Sequence, residues 1–240
     1  MAIKQHIHMH DGPGGPFEST AVYDDAAGIQ PGLLLFPNFL GPKQWDYDKA
    51  EELAALGFKV LVVDYYGQGK RASGMDDPKA SEYMTELVSD RAAMRDRLLA
   101  ALAELRKLPD VDAAKCGAIG FCLGGKCVLD LARGGADILG GVSFHGVYDA
   151  PPFPNAKMTA KLLVCHGWND PLCPPEATVA LANELTEAGV DWQLVAYGHT
   201  GHAFTADNVP LTPEKTFGFQ PDTNRRSWQA MKDFFGEVFG

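Results

Sequence analysis

The sequence lacks long apolar runs and any excess of basic residues. No stretch of about 18 apolar residues occurs, so we expect no transmembrane helix. The first ten residues contain no apolar core of the secretory type, and we expect no signal peptide. The chain has 21 basic and 31 acidic residues and a formal net charge of −10. Because nucleic acids and anionic membranes attract basic surfaces, we expect neither as a partner.

The five cysteines form no C-x-x-C pair and no regular framework. This pattern argues against structural disulfides and predicts reduced thiols in a cytoplasmic protein. His6, His8 and His10 share one face of a predicted strand, but no fourth ligand lies near them. We therefore favour a solvated strand face over a metal site, and we expect no metal.

Strand-like and helix-like segments alternate from residue 32 to the end of the chain. Continuous apolar runs such as 32–36 predict strands buried on both faces. The predicted strands are 3–10, 17–25, 32–36, 58–65, 115–120, 139–147, 161–166 and 192–197, and the predicted helices are 43–56, one within 80–107, 123–133, 174–188 and 223–239. This order predicts an α/β fold with a mostly parallel sheet of about 7–8 strands and helices on both faces. No linker or repeat is visible, so we expect one domain over residues 1–240.

A glycine-rich turn separates the predicted strand 115–120 from the helix after it. The sequence Gly120-Phe121-Cys122-Leu123-Gly124 has the form G-x-C-x-G, a nucleophile elbow with cysteine in place of serine. Glycine at 120 and 124 leaves room for the crossing backbone. The helix amides behind Cys122 favour a thiolate. A small buried structural cysteine is the alternative interpretation.

An acid and a histidine follow Cys122 in the chain order of α/β-hydrolase triads. Asp170 and His202 each lie after a predicted strand, at the end of the sheet where ligands bind. His202 would activate the thiol, and Asp170 would orient its ring and steady its positive charge. Alternatively, Asp170 only forms a turn, or His202 is a loop histidine with His199 as a competing base. We favour His202 because a glycine precedes it and apolar residues follow it.

An oxyanion hole requires two backbone amides. We expect one from Leu123 and the other from Phe39 or Leu40, with Phe39 preferred, because Pro37 has no amide. The remaining pocket candidates are Asn38, Tyr65, Arg71, His145, Trp168 and Phe204. Each of the aromatic residues among them could simply pack, and His145 fits a structural role better.

These motifs resemble those of the dienelactone hydrolase family of α/β-hydrolases, from about residue 20 to the final helix. The resemblance rests on the segments 120–125, 166–170 and 201–204. It implies that Cys122 is the nucleophile, Asp170 the acid and His202 the base. It also implies hydrolysis of enol-lactones or other esters, with no metal or organic cofactor.

Two positions depart from the family pattern. Asn38 stands where the well-known dienelactone hydrolases have a glutamate that helps to form the thiolate, and Ala206 stands where they have a substrate-binding arginine. Alternatively, Asn38 is a loop residue that binds the backbone. The two departures favour a neutral or bulkier ester or lactone over dienelactone itself. A non-catalytic ligand-binding protein on the same fold is the alternative function, and a redox-sensing cysteine is a third. The sequence predicts neither the oligomeric state nor the role of residues 206–222.

Overall fold

A computed structural model describes residues 2–240 and places eight strands and six helices within them. The strands are β1 (Ile3–His10), β2 (Phe17–Asp24), β3 (Gln30–Phe36), β4 (Lys59–Val62), β5 (Val111–Phe121), β6 (Gly140–Phe144), β7 (Lys161–Gly167) and β8 (Trp192–Tyr197). The helices are α1 (Gln44–Ala55), α2 (Pro78–Ser89), α3 (Arg91–Lys107), α4 (Leu123–Arg133), α5 (Pro175–Glu187) and α6 (Pro221–Phe239). The strands follow the order β1-β2-β4-β3-β5-β6-β7-β8 in an eight-stranded, mostly parallel sheet. The predicted α/β class is therefore confirmed.

The chain divides into two compact units, one ending at Ala118 and the other beginning at Ile119. In the first unit β1 and β2 form an antiparallel hairpin from the pair Ile3↔Asp24 to the pair His10↔Phe17. β2 also pairs antiparallel with β4, and β4 pairs parallel with β3. The apolar run at the end of β3 is fully buried, as its composition predicts. The single domain over residues 1–240 stays a prediction.

The second unit contains the parallel strands β6, β7 and β8, which pair in that order. α4 packs against β6, α6 packs against β6 and β7, and α5 packs against β8. Every residue of α4 is buried, including Lys126, Asp130 and Arg133. A helix buried on all sides needs partners for its charges. Lys126 Nζ lies 2.6 Å from Asp149 Oδ1, and Arg133 Nη1 lies 3.1 Å from Asp130 Oδ1.

The helix predicted within 80–107 is two helices, and Asp90 is the reason. α2 ends before Asp90, whose backbone leaves the helical region at φ −125° and ψ 87°. Its side chain accepts a hydrogen bond of 2.9 Å from the Ala93 amide and so caps α3. An aspartate that caps the next helix competes with continuation of the previous one.

Two of the three histidines of β1, His8 and His10, have ordinary protein partners. His8 Nε2 lies 3.2 Å from Glu104 Oε2, and His10 Nε2 lies 3.0 Å from Ser19 Oγ. Across residues 2–240, no group of three or more metal-binding side chains is arranged to hold an ion. No helix in that same range is long and apolar enough to cross a membrane.

Candidate active site

Cys122 lies at the sharp turn between β5 and α4. Its backbone has φ 56° and ψ −114°, a conformation that a residue with a side chain rarely adopts. The Cys122 amide donates to the Phe144 carbonyl over 3.0 Å, and this hydrogen bond joins the turn to β6. The four other cysteines are buried, whereas Cys122 is partly exposed. The turn therefore presents one thiol to incoming molecules.

The glycines of the turn allow two close backbone approaches. A Cβ added to Gly120 would lie 2.1 Å from the Gly124 oxygen. A Cβ added to Gly125 would lie 2.7 Å from the Cα of Gly146. Both distances are shorter than any van der Waals contact, so a side chain at either position would displace α4 or the strand beneath it.

Asp170 follows β7 in a turn that its own carboxylate stabilises. Its amide donates to the Gly167 carbonyl over 3.0 Å, and its Oδ1 accepts a hydrogen bond of 2.8 Å from the Leu172 amide. Its Oδ2 lies 2.7 Å from His202 Nδ1. The carboxylate thus forms the turn and also holds the imidazole, so the two sequence interpretations of Asp170 are compatible.

His202 lies after β8 with its ring almost fully buried. Burial lowers the pKa of the imidazole, but the charge of the Cys122 thiolate and the hydrogen bond to Asp170 outweigh it and raise the pKa to about 10. A protonated imidazole beside a thiolate is the resting state that cysteine nucleophiles use. His199 is exposed, and Asp170 contacts His202 instead.

His145 is a second histidine next to His202. Its ring meets the ring of His202 edge-on, with centroids 5.0 Å apart, and its Nε2 lies 2.8 Å from Thr205 Oγ1. Burial, and then the charge of His202, hold the pKa of His145 well below its usual range. His145 is therefore neutral and buried beside His202.

The two aromatic pocket candidates of this unit lie in different environments. Phe204 is fully buried and meets the ring of His145 edge-on at 4.9 Å. Trp168 is 46% exposed and meets the ring of His166 edge-on at 6.0 Å. Trp168 can contact a ligand as it stands, whereas Phe204 forms part of the support behind the histidines.

The loop after β3 is held by hydroxyl groups from the segment that follows β4. The Tyr65 hydroxyl donates to the Pro37 carbonyl over 3.0 Å, and the Tyr66 hydroxyl donates to the Phe39 carbonyl over 2.8 Å. Asn38 Oδ1 accepts a hydrogen bond of 2.9 Å from the Leu40 amide. The Leu40 amide is therefore occupied, which leaves Phe39 as the candidate oxyanion donor of this loop. Tyr65 is fully buried and supports the loop.

Arg71 is engaged by groups of its own unit. Its Nη1 lies 3.2 Å from Asp64 Oδ1, and its Nη2 donates to the Glu18 carbonyl over 3.0 Å. A guanidinium that already faces the buried Asp64 carboxylate is not available as a simple receptor for a substrate carboxylate.

Phe217, in the loop at 206–222, is a neighbour of His202 that the sequence did not predict. His202 pairs with Phe217 in an isolated β-bridge, and the two rings stack. No local motif marks these residues, because the contact joins positions 15 residues apart through a loop without regular structure.

Comparison with known proteins fits this geometry. The family model described as "Dienelactone hydrolase family" matches residues 17–239. The chain belongs to the dienelactone hydrolase family. The predicted family resemblance is therefore confirmed, and it places the chain among the ester and lactone hydrolases.

Relatives of known structure share the whole fold. A solved structure named m3DLH is 35% identical, covers 100% of both chains and superposes with a TM-score of 0.92. A dienelactone hydrolase-like promiscuous phosphotriesterase from metagenomic libraries is 32% identical, also covers 100% of both chains and has a TM-score of 0.89. These similarities confirm the predicted α/β-hydrolase fold.

Sequence relatives extend the comparison. An uncharacterized protein of Caenorhabditis elegans is 33% identical over 64% of this chain and 99% of its own length. A protein of Methylorubrum extorquens with the provisional name carboxymethylenebutenolidase is 26% identical over 92% of this chain and 72% of its own length.

Proposed function

We propose that this protein hydrolyses carboxylic esters or lactones through a covalent intermediate on Cys122. The observation that carries the proposal is the partly exposed thiol at the elbow, whose charge acts on His202, together with Asp170 Oδ2 at 2.7 Å from His202 Nδ1. Thiol, imidazole and carboxylate in this order supply a nucleophile, an acid–base group and an orienting group.

The reaction begins with attack of the Cys122 thiolate on the substrate carbonyl carbon. The electron pair of the C=O bond moves to oxygen, where the amide of Leu123 is proposed to stabilise it. Phe39 stays the second amide donor that the sequence predicts. Collapse of this intermediate breaks the ester C–O bond, and protonated His202 gives its proton to the leaving oxygen. Neutral His202 then takes a proton from water, and the resulting hydroxide attacks the thioester. Cleavage of the C–S bond releases the acid and restores the thiolate.

Neither of the two positions considered for binding a substrate carboxylate supplies an available cation. Arg71 is engaged by Asp64 and Glu18, and position 206 carries alanine. Position 206, where the family pattern has an arginine, therefore carries no positive charge. The half-exposed Trp168 ring suits an apolar or aromatic acyl group. We infer that small neutral esters and lactones are turned over better than lactones that carry a carboxylate.

Substitution of the nucleophile tests the mechanism. The Cys122→Ala variant is expected to lose at least about 10³-fold in kcat, because no other group replaces the thiolate. Cys122→Ser is expected to lose much of the activity as well, because a hydroxyl needs a stronger base.

Initial rates are measured on a neutral aryl ester, an enol-lactone with a carboxylate and an aryl phosphotriester. The enol-lactone and the phosphotriester are included because two relatives are named as a carboxymethylenebutenolidase and as a phosphotriesterase. Cys116→Ala, at a buried cysteine of the other unit, is the control and is expected to stay active. Full activity of Cys122→Ala would exclude the mechanism.

Alkylation separates the enzyme from a protein that only binds ligands on the same fold. A catalytic thiolate reacts selectively with iodoacetamide, and the rate depends on pH. If Cys122 does not react with iodoacetamide, the result favours a protein that only binds ligands.

A cytoplasmic location and the absence of nucleic-acid and membrane partners stay predictions from the sequence.

A further inference from the structure

Residues 209–219, here named the strap, fold back on themselves next to His202. The Phe219 amide donates to the Val209 carbonyl over 2.9 Å, and the Thr212 amide donates to the Phe217 carbonyl over 2.8 Å. Gly218 has φ +111°, and a Cβ there would lie 2.2 Å from the Pro210 oxygen. The two sides of the strap are therefore pinched together at a position that only glycine can occupy.

The strap holds the backbone of His202 on both sides. The His202 amide donates to the Thr216 carbonyl over 2.8 Å, and the Gly218 amide donates to the His202 carbonyl over 2.9 Å. A Cβ added to Gly201 would lie 2.1 Å from the Thr216 oxygen, so the strap lies directly against the chain that carries the histidine. These contacts fix the direction of the side chain of the residue between Thr216 and Gly218.

That residue is Phe217, and its ring stacks on the imidazole of His202. The centroids are 5.5 Å apart and the ring planes are inclined by 26°. The titratable groups that act on the same imidazole are Cys122, Asp170 and His145. The first two favour a positive charge on His202, whereas His145 opposes it if protonated. Phe217 adds the face of an aromatic ring, which attracts a cation electrostatically.

We propose that Phe217 is a positioning residue that favours the protonated form of His202 and thereby the thiolate of Cys122. The inference rests on the thiolate–imidazolium pair of the proposed function. An apolar residue that merely fills space would support the His202 loop equally well, but it would not distinguish the charged imidazole from the neutral one. This difference makes the proposal testable apart from stability.

The test is the pH dependence of Cys122 alkylation by iodoacetamide, followed by mass spectrometry of the intact folded protein. In Phe217→Leu and Phe217→Met, which keep apolar volume without the aromatic face, the acid limb of the rate profile is expected to move to higher pH by about half to one unit. Phe217→Tyr keeps the ring and is expected to restore the original profile. Phe219→Leu, in the same strap, is the matched control and is expected to leave the acid limb in place.

The outcomes separate this inference from the proposed function. An unchanged acid limb in Phe217→Leu or Phe217→Met would overturn the role of Phe217, even if the melting temperature falls. A shifted acid limb in a protein that hydrolyses none of the tested substrates would support Phe217 and contradict only the hydrolase. If Cys122 of the unmodified protein is not alkylated selectively, both proposals fail.

Discussion

Gly120 lies where the backbone that leads to Cys122 passes the first turn of α4. A methyl group there would overlap the Gly124 oxygen at 2.1 Å, and backbone on both sides cannot move without displacing the elbow. The Gly120→Ala variant is therefore expected to lose at least about 2–3 kcal/mol of unfolding free energy, together with Cys122 reactivity. Urea unfolding and iodoacetamide labelling measure the two effects.

Gly198 provides the control for this substitution. It lies in the turn after β8, and a Cβ there would meet nothing within 4 Å. Gly198→Ala is expected to change the unfolding free energy by less than about 0.5 kcal/mol. If Gly120→Ala were as stable and as reactive as Gly198→Ala, the close approach at the elbow would have no energetic role.

At the scale of secondary-structure elements, the buried end of α4 is tied to α5 by Arg133. The guanidinium is almost fully buried, lies 2.6 Å from Glu184 Oε2 and 3.1 Å from Asp130 Oδ1, and donates to the Tyr148 carbonyl over 3.1 Å. Without this side chain, the carboxylates of Asp130 and Glu184 would lose the positive charge that they contact, and Asp130 is fully buried. A charge that loses its partner in the interior is strongly destabilising.

We therefore expect Arg133→Met to lower the unfolding free energy by about 3–5 kcal/mol, measured by chemical denaturation. Arg225→Met is the matched control, because Arg225 forms an exposed pair with Asp222 on α6 at 3.5 Å. Exposed pairs of this kind contribute little, and the control is expected to unfold like the unmodified protein. Equal stability of the two variants would show that the network does not hold α4 to α5.

At the scale of the whole molecule, stability depends on pH through groups whose pKa differs between the folded and unfolded states. Asp46 is such a group, because burial raises the pKa of its carboxyl to about 7 from 3.8. Its Oδ2 accepts a hydrogen bond of 2.9 Å from the Lys43 amide at the start of α1. Between these two pKa values the folded state binds more protons than the unfolded state. The contribution of Asp46 to stability is therefore fully present below about pH 3.8, declines as the pH rises and is lost once the pH passes about 7.

The Asp46→Asn variant keeps a hydrogen-bond acceptor but cannot ionise. Its unfolding free energy relative to the unmodified protein is expected to rise between pH 5 and pH 8 by on the order of 1 kcal/mol or more. Urea unfolding at several pH values measures this difference. Asp48→Asn, at an exposed position of the same helix, is the control and is expected to show no such trend. Parallel pH profiles for Asp46→Asn and the unmodified protein would contradict the assignment.

Local patterns were sufficient to predict the strands, the elbow and the order of Cys122, Asp170 and His202. Each of these features depends on neighbouring residues: apolar runs mark buried strands, and glycines mark a turn too tight for side chains. The division at Asp90 was missed because an aspartate can cap a new helix or lie on the surface of a continuous one. Only its hydrogen bond to Ala93 distinguishes the two.

The sequence by itself determined the α/β class, the family resemblance and the residue types available for catalysis, because these depend on short-range patterns. Only the tertiary structure decided which groups surround them. In the folded chain Asp170 contacts His202, Arg71 contacts Asp64, and Phe217 stacks on His202. These contacts join residues across turns and loops, and their geometry depends on chain folding that no local pattern encodes.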